Sequence, residues 1–280
     1  MIDPAWQASQ RLYEAVATLD PMAIAPLISP LAADFIQTIP AVLLHGRALD
    51  VGTGLGFTAQ RLALHNLSVI GLDSSLAMLQ AAIQFNPEAN GLDFVCADMM
   101  QPPFAPASFD LIVASFGLNM TTPRQSLRSL RRLLKPGGAL YIQEWAVEDP
   151  ISVTFDAIFS THTDADPGVD KWLEHLGDLS AAWSGQMQDV DDYREQLAVA
   201  GLVVLSASES VPATISLESA ETFIAYKLAW PTYRYRWTAL SAAAQNELRA
   251  ALKSALVAYS ESTGQLIWQP SLFRAAAVAQ

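Results

Sequence analysis

The chain has few charged residues, and basic residues are the scarcer kind. Charged residues make up 16% of its 280 residues, and 28 acidic against 16 basic side chains give a formal net charge of −12. Such a chain repels phosphate backbones, so a nucleic-acid substrate would require a concentrated basic face. The basic cluster from Arg124 to Lys135 alternates with leucines at helical spacing, which predicts a solvated helix face instead. We therefore expect no nucleic-acid partner.

Cysteine and long apolar runs are also scarce. Cys96 is the one cysteine, so an internal disulfide and a cysteine-rich zinc site are excluded, and we expect Cys96 to be a small buried residue of a strand. No histidine or acidic set has metal-ligand spacing, so no metal is expected. The uncharged segment 21–33 contains three prolines, and no apolar run reaches the length of a membrane span. Without a basic region before an apolar stretch, a secretory signal is not expected, which predicts a cytoplasmic enzyme without a membrane span.

The most informative segment that is present is Ala48-Leu-Asp-Val-Gly-Thr-Gly-Leu-Gly56. It predicts a buried strand followed by a glycine-rich turn that opens a helix, and its glycines let the backbone approach a ligand closely. A dinucleotide fingerprint requires a small residue where this chain has Phe57. The spacing therefore favours a cofactor without a pyrophosphate, and it predicts Phe57 in the core.

Five segments, in order along the chain, resemble the motifs of class I S-adenosylmethionine-dependent methyltransferases. They are Asp50–Gly56, Gly71–Leu79, Cys96–Met100, Phe109–Gly117 and Leu130–Glu144. The resemblance implies an α/β fold: a Rossmann-like, doubly wound sheet of seven strands whose last strand is antiparallel, with helical cap insertions. It covers residues 45–149, and Ala114–Asn119 is faintly similar to the ubiquinone and menaquinone C-methyltransferases.

Alternating strands and helices predict parallel βαβ units in this core. The predicted strands are 48–51, 68–72, 92–96, 110–114 and 139–144, and the predicted helices are 57–65, 75–84 and 123–134. Ahead of them, Asp3-Pro4 predicts a helix to about Leu19. Ser29-Pro30 predicts a second helix, which stops before Pro40.

The second half of the chain predicts a cap and the last strands. Residues 151–185 are helical in pattern and acidic, Asp189 caps a helix ending at Gly201, and 202–207 is the sixth strand. Two helices are expected between 217 and 261, followed by a last strand over 265–278 in which Pro270 fits only an edge or a bulge. We expect one domain, 1–280. It is divided into an N-terminal helical segment (1–45), a cofactor-binding core (46–149), cap insertions (150–188 and 215–262) and the last sheet strands (189–214 and 263–280).

The expected cofactor, S-adenosylmethionine, indicates roles for several polar residues. Asp73 lies about twenty residues beyond the glycine turn, where a carboxylate can accept both ribose hydroxyls; a helix N-cap is the alternative, and both can hold. The resemblance places Asp98 at the adenine amine and the Met99 amide against the ring, with a turn residue as the alternative. Asp50 is expected to bind the ammonium of the methionine moiety or to order the glycine loop. The candidate cofactor-binding residues are Asp50, Gly52, Thr53, Gly54, Gly56, Asp73, Ser74, Asp98, Met99, Ser115 and Phe116.

The reaction requires little acid–base chemistry, because a sulfonium methyl group is already activated. Transfer needs mainly in-line placement of the acceptor in a dry pocket, and a base only if the acceptor is a hydroxyl or an acidic carbon. The candidate catalytic residues are His162 and Glu144, with Asp149 as a further candidate base. An exposed loop position is the alternative for His162.

Aromatic residues concentrate from Phe223 to Trp237. They predict a cap that closes over an apolar acceptor, and simple packing of inserted helices is the alternative. We therefore expect S-adenosylmethionine-dependent methyl transfer to a small apolar or aromatic metabolite. A quinone-type C-methyltransferase and a non-catalytic methyltransferase-like binding protein are the alternatives, and Phe57 counts against a nucleotide-dependent oxidoreductase. The oligomeric state is open, with a homodimer as one candidate.

Overall fold

The computed structural model describes residues 21–85, 90–146, 149–163, 174, 177–178, 180–210 and 214–280. Its strands are β1 (Arg47–Val51), β2 (Ser68–Asp73), β3 (Leu92–Cys96), β4 (Phe109–Ser115), β5 (Leu134–Trp145), β6 (Leu202–Ser210), β7 (Ile215–Leu217), β8 (Leu266–Trp268) and β9 (Leu272–Ala279). Its helices are α1 (Pro21–Gln37), α2 (Phe57–Ala63), α3 (Leu76–Phe85), α4 (Pro123–Leu133), α5 (Pro150–His162), α6 (Val190–Val199), α7 (Ala220–Ala229), α8 (Pro231–Ala239) and α9 (Ala242–Leu256). The predicted helix ending near Leu19 and residues 164–173 lie outside the described residues.

Seven strands form one sheet in the order β3-β2-β1-β4-β5-β9-β6. The first five are parallel, and β9 is antiparallel to both β5 and β6. This confirms the predicted doubly wound sheet with an antiparallel last strand. The order reverses between β1 and β4, and in such sheets ligands bind outside the carboxyl ends of the strands at that point.

The C-terminal run differs from the prediction of a single strand over 265–278. It divides into β8, which pairs with β7 in a separate two-stranded sheet, and β9, which lies between β5 and β6. Pro270 lies between the two strands, so its missing N–H interrupts no ladder. The prediction that Pro270 lies within an edge or bulged strand is therefore wrong.

Helix α1 begins earlier than the sequence predicted. It starts at Pro21 and includes Pro26 and Pro30, although it ends before Pro40 as expected. One face of it, including Leu27, Leu31 and Phe35, is fully buried. Burial of this apolar stripe offsets the backbone hydrogen bonds that two internal prolines remove.

Three helices rather than two occupy the segment between 217 and 261. Trp230 ends α7 and Pro231 opens α8, because a proline suits the first position of a new helix but not the interior of an old one. The predicted cap of α6 is confirmed: the Asp189 side chain accepts from the Asp191 and Asp192 amides, and the Asp192 side chain completes a capping box.

Two further predictions meet opposite outcomes. On α4, Leu127, Leu130 and Leu133 are fully buried while Arg124 and Arg128 are exposed, which confirms the solvated basic face. Cys96, expected to be buried, is exposed, because β3 is the edge strand of the sheet. None of the described helices combines the length and the apolar character that a membrane span requires.

Candidate functional site

The glycine turn after β1 forms the centre of the site. Gly52 and Gly54 have φ angles of 67° and 51°, in the left-handed region that favours glycine. A Cβ on Gly52 would lie 2.5 Å from Gly117 Cα, so this glycine lets the loops after β1 and β4 pack together. A Cβ on Gly54 would meet none of the described atoms within 4 Å. Gly54 therefore presents bare backbone to open space beside the turn, a region called the cleft below. Gly56 caps α2, and Phe57 is buried in the core as predicted.

The buried side chain of Asp50 orders this turn. The Thr53 hydroxyl donates to Asp50 Oδ2 over 2.6 Å, and Asp50 is 1% exposed. Burial raises the pKa of the Asp50 carboxyl to about 7, and the neighbouring carboxylate of Asp73 adds to the increase. The contact gives Asp50 the loop-ordering role that the sequence left as one of two alternatives. Its contact with an ammonium group stays a prediction.

Asp73 joins the glycine turn to the end of β2. Its Oδ2 accepts from the Gly54 amide at 2.8 Å and its Oδ1 from the Ser75 amide at 2.9 Å. Burial raises the pKa of Asp73. The side-chain cap of α3 is instead Ser75, whose Oγ accepts from the Met78 amide at 3.2 Å. The Ser74 amide is a third donor to this carboxylate. Because a carboxylate has about four acceptor positions, Asp73 keeps capacity for one further donor.

Asp98 forms a turn after β3. Its Oδ1 accepts from the Met100 amide at 2.8 Å, and its carbonyl accepts from the Gln101 amide at 3.1 Å. Met99 is half-buried and packs against the core, and Ser74 is half-buried at the end of β2. The turn role of Asp98 is thus present, and the adenine contacts of Asp98 and Met99 stay predictions.

The loop after β4 carries a strained residue. Phe116 has a φ of 60°, in a region that costs a non-glycine residue about 1–3 kcal/mol and is enriched at active sites. The Phe116 amide donates to the Gln143 carbonyl at 2.8 Å, and its ring stacks on Trp145 with centroids 4.1 Å apart. Ser115, directly before it, is half-buried. Both candidates therefore lie beside the glycine turn, through the Gly52–Gly117 contact.

An aromatic wall continues from Trp145 into the cap. The Trp145 ring lies 6.0 Å from that of Trp268, which lies 6.0 Å from both Phe223 and Tyr226. Trp145 is 36% exposed, whereas Trp268 is buried. The late aromatic residues thus pack together and also reach the end of β5. Sequence reasoning missed Trp268, because it was assigned to a strand of the main sheet rather than to the cap.

The candidate bases differ in their surroundings. Glu144 is 2% exposed, its Oε1 accepts from the Leu118 amide at 2.9 Å, and burial raises its pKa to about 8. His162 is exposed at the end of α5, with Nδ1 2.9 Å from the Ile158 carbonyl. Asp149 caps α5 by accepting from two backbone amides. These contacts give Glu144 and Asp149 structural roles, and the base roles stay predictions.

Metal-binding side chains are not grouped in the part of the chain that the structure describes. No three or more His, Cys, Asp or Glu residues there are close enough to hold a metal ion.

The core matches known proteins in sequence. Residues 49–142 match a family model described as a methyltransferase domain. The chain is 36% identical over 117 residues to the demethylmenaquinone methyltransferase of Renibacterium salmoninarum, a match that covers 41% of this chain and 46% of that protein. It is 37% identical over 137 residues to the biotin biosynthesis bifunctional protein BioHC of Cellvibrio japonicus, over 49% of this chain and 26% of that protein. The chain thus spans less than half of the length of either relative.

The fold also matches a solved structure. A crystal structure of a putative methyltransferase from Bacillus halodurans aligns with a TM-score of 0.53 at 18% identity, over 88% of this chain and 97% of that one. At this identity the likeness concerns the fold.

Proposed function

We propose that this chain, whose residues 49–142 match the methyltransferase family model and lie within the seven-stranded sheet, transfers a methyl group from S-adenosylmethionine to a small apolar or aromatic metabolite. One observation carries the proposal: the bare backbone of Gly54 faces open space, and its amide donates to Asp73, which keeps one acceptor position. A nucleoside with a vicinal diol can lie against such a turn without meeting a side chain.

The charge of the cleft supports a cationic cofactor. Asp50 and Asp73 are both buried, and burial raises the pKa of each. A ligand with a sulfonium and an ammonium group offsets the cost of ionising these carboxyls. In this proposal Asp73 accepts from the ribose with its remaining acceptor position, Asp98 and Met99 hold the adenine, and Asp50 faces the ammonium.

The acceptor is proposed to lie against the accessible end of the aromatic wall, Phe116 and Trp145, behind which the buried rings of Trp268, Phe223 and Tyr226 pack. When bound, S-adenosylmethionine supplies the activated methyl group, and the chain contributes placement and exclusion of water. Trp145 is 36% exposed, and an aromatic ring can stack on a planar acceptor and attract positive charge.

A general base is needed only if the methyl group is transferred to a hydroxyl or to a carbon atom. Glu144 is then favoured over His162, because a pKa of about 8 is close to the pH at which a base works well. His162 is the alternative, in which an exposed imidazole would have to approach the acceptor.

A quinone-type C-methyltransferase is the second candidate. The relative from Renibacterium salmoninarum is named for demethylmenaquinone, and a planar quinone ring fits a stacking aromatic wall. A non-catalytic binding protein is the third, because a class I fold alone does not imply turnover. A cytoplasmic location is part of the proposal, and a homodimer stays a prediction to be measured by analytical ultracentrifugation.

The proposal is tested by calorimetric titration with S-adenosylmethionine, S-adenosylhomocysteine and NADH. Micromolar binding of the first two without NADH binding would support it, and methyl acceptors would then be screened with radiolabelled cofactor, quinones first. NADH binding alone would overturn it. Cofactor binding without turnover of any acceptor would favour the non-catalytic alternative.

A further inference from the structure

Four polar side chains form a row across the sheet on the face that α1 covers. Ser115, Gln143 and Arg274 are register partners on the neighbouring strands β4, β5 and β9. Asp34 of α1 completes the row, since Arg274 Nη2 lies 2.6 Å from Asp34 Oδ2. Gln143 is fully buried, and the Arg274 side chain is 14% exposed. The row therefore runs from α1 through the sheet to the loop beside the glycine turn.

The chemistry of the row fixes the direction of each hydrogen bond. A guanidinium group only donates, so the atom of Gln143 that Arg274 contacts at 3.0 and 2.7 Å must be the amide oxygen. The amide nitrogen of Gln143 then faces Ser115 and donates to Ser115 Oγ over 3.1 Å. Asp34 fixes Arg274 at the other end with a charge-assisted bond.

The consequence concerns the proton of the Ser115 hydroxyl. Because Oγ accepts from Gln143, that proton has to be donated to a different atom. Within the described residues the Ser115 hydroxyl meets no second protein partner. Ser115 is half-buried and lies at the carboxyl end of β4, where the next loop contacts Gly52 of the glycine turn.

We propose that Asp34, Arg274 and Gln143 are positioning residues that hold Ser115 as a hydrogen-bond donor to the carboxylate of the cofactor's amino-acid moiety. The inference rests on the proposed function, because it requires the cofactor to lie in this cleft. A carboxylate fits this end of the site because Ser115 has a proton to donate. The buried acid Asp50 faces the same turn and suits the ammonium of the same moiety.

The test reverses the direction of the hydrogen bond between residue 143 and Ser115 by replacing one atom. In Gln143→Glu the new carboxylate still accepts from Arg274 but cannot donate to Ser115. The Ser115 hydroxyl must then donate its proton to this carboxylate, and the proton is no longer available to the ligand. Ser115→Ala removes the hydroxyl altogether. The probes are S-adenosylhomocysteine and methylthioadenosine, which has the same nucleoside but no amino-acid moiety.

We expect each variant to weaken S-adenosylhomocysteine binding about tenfold or more and to leave methylthioadenosine binding unchanged. The double variant should lose no more than either single one, because both remove the same donor. Gln125→Glu, which adds the same charge on the exposed side of α4, is the control and should keep wild-type affinities.

Other outcomes overturn the inference in distinguishable ways. The selectivity is the ratio of the affinities for S-adenosylhomocysteine and methylthioadenosine. If S115A lowered this ratio and Q143E did not, Gln143 would not orient the Ser115 hydroxyl. Unchanged selectivity in both variants would remove Ser115 from the carboxylate site. Since S115A deletes only one half-buried hydroxyl, it decides this point even where Q143E fails to fold. A wild-type protein that binds neither probe would overturn the proposed function itself.

Discussion

Asp73 shows how one side chain serves structure and ligand together. It accepts from the Gly54 and Ser75 amides, so replacing it by asparagine turns one acceptor into a donor that faces a backbone N–H. We expect Asp73→Asn to weaken S-adenosylhomocysteine binding by about 1–3 kcal/mol through lost charge-assisted bonds. Calorimetric titration measures this loss. Asp93→Asn, at an exposed position of β3, is the control, and equal affinities in the two variants would remove the ribose assignment.

Glu144 makes the stability of the protein depend on pH. Its folded pKa is about 8, above its ordinary value, so between about pH 4.5 and 8 the folded state binds more protons than the unfolded state. The free energy of unfolding therefore falls as the pH rises through this window, by at most about 1.4 kcal/mol per pH unit for this group. Asp50 contributes a fall of the same sign, up to its pKa of about 7.

We expect Glu144→Gln to reduce this pH dependence, because the amide keeps an oxygen for the Leu118 N–H but has no charge to bury. Urea unfolding at pH 5 and pH 8 measures it: the difference between the two values should be smaller in the variant. Glu218→Gln, at an exposed site, should keep the wild-type difference. A variant that follows the wild type at both pH values would show that Glu144 does not carry the dependence.

At the scale of the element, glycine substitutions in the turn between β1 and α2 distinguish the cost of backbone strain from the loss of ligand binding. Gly54 and Gly137 both have left-handed φ angles, 51° and 78°, and a Cβ on either would meet none of the described atoms within 4 Å. Gly54→Ala and Gly137→Ala should therefore both destabilise the fold by about 1 kcal/mol. Only Gly54→Ala should also lose cofactor affinity, since its methyl group enters the cleft.

Thermal unfolding and calorimetric titration of the two variants measure this difference. Wild-type cofactor affinity in Gly54→Ala would show that the ligand does not approach this turn. The larger Gly54→Val should abolish binding.

The elements that the sequence predicted well are those with a local signal. Strands β1 to β4 are short apolar runs followed by turn residues, and their predicted bounds agree with the structure within one residue. The start of α1 was missed because the rule that prolines break helices is local, whereas the burial that overrides it is tertiary. Trp268 was missed for a similar reason: its partners Trp145 and Phe223 lie far from it in sequence.

The row that ends at Ser115 was beyond sequence reasoning altogether. Gln143 and Arg274 are 131 positions apart, and they meet only because the C-terminal strand inserts next to β5. The resemblance gave Ser115 as a candidate cofactor-binding residue, but no local pattern indicates which side chains orient it. Candidate ligand contacts thus followed from motifs, whereas the groups that position them required the sheet register.

At the scale of the whole molecule, the charge balance predicts how cofactor and product bind. The chain carries a formal net charge of −12, and this total includes the buried carboxyls Asp50 and Asp73 of the cleft. S-adenosylmethionine carries one positive charge more than S-adenosylhomocysteine, so the surrounding field favours the methyl donor over the product. This preference depends on the field of the whole chain, because it requires no contact with the methyl group itself.

Salt screens the part of this field that comes from exposed charges, over about 10 Å at 0.1 M and about 3 Å at 1 M ionic strength. We therefore expect the affinity for S-adenosylmethionine to fall with added salt while that for S-adenosylhomocysteine changes less. Titrations at low and high ionic strength measure the ratio of the two affinities. Asp50→Asn should reduce the ratio at all salt concentrations, because a buried charge is screened weakly. A ratio that neither salt nor this variant changes would mean that the acids of the cleft do not act on the sulfonium, and that packing alone distinguishes donor from product.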